Sequence, residues 1–246
     1  MTKKPQAKDH IFAKNMLPGD FIFDEKVAGV FEDMINRSVP GYSAIIAMIG
    51  VLAERYYQKG SIIYDLGCSL GGATFSVFER LKGQGCSIVA IDNSIAMLER
   101  LATKQQKFEG AHYCIESRCE NIQVAQIENA SVVILNFTLQ FVPPEDRAAL
   151  IERVFKGMNS GGVLIISEKI ISPDNHLNEL FIELYHQFKE NMGYSKLEIS
   201  QKRSALENVL IPETLDSHRA RILQAGFSSF EVWFQSLNFA SMVAIK

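Results

Sequence analysis

Short apolar runs rich in β-branched residues alternate along this chain with longer stretches whose apolar positions recur every three or four residues. The runs at 62–66, 87–92, 112–116, 131–137 and 163–167 read as strands, and nearly unbroken apolarity marks them as buried on both faces of a parallel sheet. Ahead of them, Phe23, Val27, Val30, Phe31 and Met34 form one apolar helical face, broken at Pro40-Gly41-Tyr42. A second helix resumes with Ile45, Ile46, Met48, Ile49 and Leu52 inward, and Gly60 ends it. The first strand turns through glycines into a helix over 73–81. After the second strand, Asn93 and Ser94 can cap a helix whose Met97, Leu98 and Leu101 face the sheet. The run at 131–137 is almost wholly apolar and therefore central. Pro144, followed by Glu145 and Asp146, opens a helix that runs to about residue 158, and Asn159-Ser160-Gly161-Gly162 turns it into the next strand. Right-handed crossovers between such units give a doubly wound parallel sheet.

The rhythm changes after Glu168. Helical patterns cover 177–191, 198–209 and 213–225, and two strands follow at 230–235 and 239–246. With no helix between them, those two must pair antiparallel. The expectation is an α/β, Rossmann-like domain over 21–246, with a seven-stranded, mostly parallel sheet and an antiparallel C-terminal strand. Residues 169–225 form a helical insertion capping the site. Residues 1–20 read as a flexible tail, Lys-rich and without the apolar stretch of a signal peptide. A nucleic-acid-binding arm is the alternative there, and a solvated tail the better reading.

Charge narrows the partners. With 25 basic and 28 acidic residues the net charge is −3, so no global field recruits nucleic acid. Cys68, Cys86, Cys114 and Cys119 form no C-x-x-C pair, which argues against zinc or a disulfide framework and for reduced thiols in the cytoplasm. The five histidines lack i, i+4 pairing, so no metal is expected. No apolar run reaches the roughly 18 residues of a membrane span.

The chemistry gathers at the carboxyl ends of the strands. In Asp65-Leu66-Gly67-Cys68-Ser69-Leu70-Gly71 an acid ends the first strand and glycines let a nucleoside approach the backbone. A nicotinamide loop would read G-x-G-x-x-G, but Ser69 stands where its second glycine would be. The D-x-G-x-x-x-G form resembles the first motif of class I S-adenosylmethionine (SAM) enzymes. Asp92 ends the second strand, where a carboxylate can accept both ribose hydroxyls; a helix N-terminal acid is the bland alternative. Asn136 closes the central strand and points into the same crevice. It is followed by Phe137-Thr138-Leu139-Gln140-Phe141 and not by the N-P-P-Y motif of base methylation, which argues for a small-molecule substrate. The Gly161-Gly162 turn matches the one before the fifth strand of SAM enzymes, and these landmarks together exclude a nicotinamide enzyme.

A closer resemblance lies in the segment from Phe31 through Arg37-Ser38-Val39-Pro40-Gly41-Tyr42. It extends through the 65–71 loop, Ile91-Asp92-Asn93-Ser94, the 135–141 stretch and Glu198-Ile199-Ser200-Gln201-Lys202-Arg203, and on to Trp233-Phe234-Gln235 and Asn238-Phe239. From about residue 20 to the end, the chain resembles the carboxy-S-adenosyl-L-methionine synthase family. That resemblance implies a class I methyltransferase fold. It also implies conversion of SAM and prephenate to carboxy-SAM and phenylpyruvate, as the donor-forming step of tRNA wobble-uridine modification. Tyr42, Gly67, Cys68, Ser69, Asp92, Asn93 and Asn136 would hold the SAM-derived ligand, and Arg203 its new carboxylate; Tyr42 and Arg203 are the two assigned to catalysis. Arg118-Cys119 would stand near the adenine, where many relatives carry an acid and an apolar residue. The resemblance further implies a homodimer, in which Arg203 can reach the neighbouring site, and a functional link to a tRNA carboxymethyltransferase.

The implied chemistry uses the weakly acidic methyl of the sulfonium as a carbon nucleophile toward carbon dioxide. Prephenate releases that carbon dioxide with hydroxide as its ring aromatises, and the hydroxide can take the methyl proton, so no histidine base is required. Lys202 is a candidate for attracting the dianion, against the reading of a solvated surface charge. Arg203 likewise has an alternative reading as a surface arginine of an amphipathic helix. A conventional small-molecule methyltransferase shares every fold landmark, and a non-catalytic SAM-binding module is the reading from another class.

Overall fold

The computed structural model describes residues 8–13 and 21–246, the side chains of residues 112 and 113 aside. Its sheet comprises β1 (Ile62–Leu66), β2 (Ser87–Asp92), β3 (Ile115–Cys119), β4 (Ala130–Asn136), β5 (Met158–Lys169), β6 (Ser229–Ser236) and β7 (Phe239–Ile245). These lie in the order β3-β2-β1-β4-β5-β7-β6. The first five run parallel, and β7 lies antiparallel between β5 and β6. The expected seven-stranded sheet with an antiparallel terminal strand is therefore present, and β1 and β4 flank the point where the strand order reverses.

Alternation along each strand sends successive side chains to opposite faces. Ile63, Ile88, Val132, Ile134 and Ile165 pack under α2 (Tyr42–Tyr56), α3 (Gly72–Leu81) and α4 (Ile95–Gln105). Tyr64, Val89, Val133, Leu135 and Leu164 pack under α6 (Pro144–Gly157) and α9 (Leu215–Gln224). A third cluster joins Phe12, Phe21, Val27, Ala28 and Met34 to Met97, linking α1 (Glu25–Ser38) to α4. Local signals set the helix starts: Asp24 accepts from the Val27 N–H at 3.0 Å, and Ser94 from that of Met97 at 3.3 Å.

Several sequence expectations need correction. Met97 faces α1 and not the sheet, and Met48 is exposed because the inward face of α2 is carried by Ile45, Ile49 and Ala53. The third strand is Ile115–Cys119, not 112–116; the short helix α5 (Ala111–Cys114) takes up its expected start. The 159–162 turn does not precede β5 but bulges within it, so the register with β4 jumps from Ala130–Met158 to Val132–Val163. Within the insertion, α7 (Asn175–Asn191) and α8 (Lys196–Leu206) contact each other, whereas α9 packs on α6 and β6 and belongs to the sheet layers.

The expected tail also differs where it is described. Within 8–13, Asp9 and Phe12 are buried. Asp9 accepts from the Tyr194 hydroxyl at 2.7 Å, and the Phe12 carbonyl accepts from Gln201 at 3.0 Å. A short chain segment with an acid and an aromatic to bury thus docks on α1 and α8. The rest of 1–20 lies outside the described residues.

One buried cation ties the far side of the molecule together. Arg147 on α6 is fully buried and donates to the carbonyls of Val142 (2.9 Å), Ile211 (2.9 Å) and Gln140 (3.3 Å) and to Glu213 (2.6 Å). It joins the loop after β4 to the segment before α9. Removing one partner of a buried pair leaves the other uncompensated, a cost of roughly 3–5 kcal/mol. Arg147→Ala is expected to lower unfolding free energy by about that amount in urea titration, against about 0–1 kcal/mol for Arg80→Ala, whose partner Glu54 is exposed. Equal costs for the two would show that Arg147 is dispensable to the fold.

Candidate active site

A cavity of about 710 Å³ opens at the carboxyl ends of the parallel strands, with the β1–β4 switch point in its floor. That is within the range of small-molecule sites and at the place where open α/β sheets bind ligands.

The first wall is the turn after β1. Asp65, fully buried, accepts from the backbone N–H of Thr74 at 3.0 Å and from its hydroxyl at 2.5 Å, holding the first turn of α3. Burial pushes the Asp65 carboxyl up to about 6 despite those bonds. The N–H groups of Gly67 and Cys68 both donate to the Ile91 carbonyl, at 2.8 and 2.9 Å. Gly67 has φ +79°, and any Cβ there would collide with the Thr138 side chain, so close backbone approach requires glycine. Ser69 also sits in the left-handed region at φ +49°. Its N–H donates to Asp92 Oδ2 at 2.8 Å.

Asp92 is oriented from both sides, because its Oδ1 accepts from the Ser94 N–H at 2.9 Å. These bonds still leave lone pairs on the carboxylate oxygens for a ligand's hydroxyls. Burial raises the Asp92 carboxyl from its ordinary value, opposed by backbone hydrogen bonds from Ser94, Ser69 and Asn93. Asn93 lines the cavity and donates to Asn121 at 2.9 Å.

Arg118 and Cys119 do not reach this cavity. Arg118 pairs with Glu116 at 2.7 Å, and Cys119 is an exposed terminal residue of β3. The cause is register: β3 pairs Asp92 with Cys119, so the strand ends three residues later than the sequence pattern suggested. The loop that follows brings Glu120, Asn121 and Ile122 to the cavity in their place.

Asn136 ends β4 opposite Ser167 and lines the cavity; its buried Oδ1 has no hydrogen-bond partner in the protein. A buried acceptor left unpaired is costly, so a ligand donor is the natural complement. Tyr42, the first residue of α2, lies over the loop, its hydroxyl 2.9 Å from where a Cβ on Gly72 would stand. Phe137, at φ +60°, sets its ring 6.4 Å from that of Tyr42.

The opposite wall is basic. Lys169 at the end of β5, His186 and Lys189 on α7, and Lys202 and Arg203 on α8 all line the cavity. Lys202 is buried, not solvated, and donates to the Ser38 hydroxyl at 2.9 Å. Arg203 is exposed and lines the cavity of its own chain. Burial and the neighbouring cations Lys189, Arg203 and Lys169 lower His186 from its ordinary value, opposed by Glu190. Sequence reading missed Asn121, Ile122, Lys169, His186 and Lys189. The usable signal was a lysine ending an apolar strand, and Tyr185 and Lys189 one helical turn apart. Among the described residues, no three His, Cys, Asp or Glu side chains cluster as a metal site, and no single helix is long and apolar enough to cross a membrane.

Comparison with known proteins places this geometry. A family model described as "Methyltransferase domain" matches residues 64–164. Among solved structures, magnesium protoporphyrin IX methyltransferase from Synechocystis PCC 6803 with bound SAH aligns at a TM-score of 0.59 and 13% identity, over 87% of each chain. Human N-acetylserotonin methyltransferase in complex with SAM aligns at 0.59 and 16% identity, over 90% of this chain and 55% of its own. At such identities they establish the fold, a class I methyltransferase fold. Sequence relatives are far nearer. The carboxy-S-adenosyl-L-methionine synthase of Trichlorobacter lovleyi is 56% identical over 227 residues, 92% of this chain and 93% of its own length. That of Vibrio cholerae is 56% identical over 230 residues, covering 93% of this chain and 92% of its own. With relatives this similar over nearly its whole length, the chain belongs to the carboxy-S-adenosyl-L-methionine synthase family of enzymes.

Proposed function

We propose that this chain converts SAM and prephenate to carboxy-SAM and phenylpyruvate, and so supplies the donor used by a tRNA carboxymethyltransferase for wobble-uridine modification. The observation that carries the reading is the division of one cavity into a nucleoside-binding wall and a basic wall. On the first, the Gly67-Cys68-Ser69 backbone approaches the ligand closely, Asp92 accepts the ribose hydroxyls, and the orphan Asn136 Oδ1 accepts a donor. Asn121 and Ile122 take the place at the base that sequence alone gave to Arg118 and Cys119. On the second, Arg203 meets the carboxylate that only the product carries. Such a concentration of cations suits an anionic co-substrate together with a carboxylated product.

The atoms balance without an external oxidant. Prephenate loses carbon dioxide and hydroxide to give phenylpyruvate. The sulfonium methyl loses a proton to that hydroxide, forming water, and its carbon bonds to the carbon dioxide. The residues' work is to hold both reactants together and keep the carbon dioxide from escaping, an advantage of proximity and enclosure. Tyr42, packed over the loop, closes the cavity at the reacting end.

A homodimer fits the exposed apolar residues Leu177, Leu180 and Leu184 along one stripe of α7. The four free cysteines fit a reducing cytoplasm, and the tRNA link requires no nucleic-acid grip by this chain.

Given SAM and prephenate, the purified protein is expected to form carboxy-SAM and phenylpyruvate with little S-adenosylhomocysteine, as read by mass spectrometry. Stoichiometric S-adenosylhomocysteine in the presence of a methyl acceptor would instead indicate a conventional methyltransferase. For Asp92→Ala, calorimetry should show SAM and carboxy-SAM weakened alike by one to two decades, because hydrogen bonds to a charged group contribute roughly 1.5–3 kcal/mol each. Unchanged affinity in a folded variant would reduce Asp92 to a brace for the 67–69 loop.

Arg203→Ala should discriminate between the two ligands. The guanidinium fork matches a carboxylate bidentately, and SAM lacks that carboxylate. Carboxy-SAM is expected to weaken at least ~10-fold more than SAM, about 1.4 kcal/mol, with Arg203→Lys recovering part of the loss. Equal changes for the two ligands would leave Arg203 a surface residue of α8.

A further inference from the structure

Three lysines from three elements converge on the side of the cavity away from the nucleoside loop. Lys169 and Lys189 each place their ammonium 5.3 Å from the Tyr185 ring centre. Lys189 and Lys202 stand 5.7 and 5.5 Å from the Tyr194 ring. Lys189 and Lys202 are each only 5% exposed. Among the described residues, no carboxylate lies within 4.0 Å of any of the three ammonium groups. The nearby buried acid, Asp9, is already engaged, accepting from the Tyr194 hydroxyl and from the Ile11 N–H. Asp33 is likewise paired with Arg37.

Lys169 is half-buried, and like charges gathered with no carboxylate in contact oppose folding, so a protein that keeps two buried lysines and a third beside them is built to receive an anion. Burial and the neighbouring Lys169 hold Lys189 at about 8, and burial with Lys189 and Arg37 beside it holds Lys202 at about 7, in both cases against the pull of Asp9. An entering anion therefore recovers their full charge. Lysines are compact point charges on flexible stems, and three spread across the roof suit two separated carboxylates better than a single fork. The wall beneath them is aromatic, with Tyr185 and Phe239 edge to face at 5.1 Å, a surface for a ring.

We infer that Lys169, Lys189 and Lys202 form a subsite, distinct from that of Arg203 and the nucleoside loop, for a small ring-bearing dicarboxylate dianion. This rests on the proposed reaction only in that the dianion would be its second substrate.

The test uses full-length protein loaded with S-adenosylhomocysteine, and binding is read by calorimetry. Phenylsuccinate, with two carboxylates, is expected to bind at least ~10-fold more tightly than 3-phenylpropionate, with one. Lys189→Met and Lys202→Met should each weaken phenylsuccinate by ~10-fold or more and raise the KM for prephenate similarly, while SAM affinity stays within about twofold. Equal binding of the two probes to the wild-type protein would overturn the subsite, and that comparison needs no variant to fold. Turnover of prephenate with unchanged KM in both variants would overturn it while the proposed reaction stands. Lysine-dependent phenylsuccinate binding with no turnover of prephenate would support the subsite and sink the reaction.

Discussion

Two buried carboxylates hold the cavity open. Asp65, at the end of β1, grips the first turn of α3 through the N–H and hydroxyl of Thr74. Glu168, near the end of β5, accepts from the N–H groups of Leu139 and Gln140 at 2.9 Å each and fixes the turn after β4. Each satisfies donors that a tight strand-to-helix turn would otherwise leave bare. Burial drives Glu168 up to about 8, so its place in the core is sustained by those donors. Without the two anchors, the loops on either side of the switch point would have nothing to set their separation, and Gly67 and Thr138 would not interlock.

From that frame the site divides by charge. The nucleoside wall is made by backbone geometry and one carboxylate, Asp92, whose orientation is imposed by the Ser69 and Ser94 N–H groups. The facing wall is made by cations carried on α7, α8 and the end of β5. The two walls need different supports. Parallel strands and tight turns give the first, whereas the second depends on packing helices against Tyr185 and Tyr194. The segment at 8–13, buried at Asp9 and Phe12, braces the second wall: Asp9 bonds Tyr194, and Arg37 stacks over the same ring at 4.0 Å. A relative with the same sheet and a different insertion would keep the nucleoside wall and lose the basic one, which is how one fold hosts different chemistry.

What the sequence alone determined was everything written in local patterns. Apolar runs and helical periods set the strand–helix alternation, and the terminal pair of strands set the antiparallel edge. Glycines at 67 and 71 marked the loop, and Asp92 and Asn136 stood at strand ends, where a parallel sheet presents side chains to its crevice. The structure puts these side chains in one cavity because strand order and right-handed crossover leave little other choice. Family resemblance, carried by stretches such as 198–203, singled out Arg203 where no periodicity could.

Tertiary structure decided what depends on register and burial. Whether 118–119 or 121–122 faces the cavity turns on where β3 stops, and that is fixed by pairing with β2, not by the apolar pattern of β3, whose side chains are partly exposed. Met97 is apolar in either case, and only the packing of α1 tells which apolar neighbour it meets. Lys202 reads the same in the sequence whether on a solvated helix or in a buried roof; the difference is the Ser38 hydroxyl and the Tyr194 ring, brought from more than 160 residues away in one case and next to α8 in the other. A lysine's chemistry is set by its surroundings, and those surroundings come into existence only when distant elements pack.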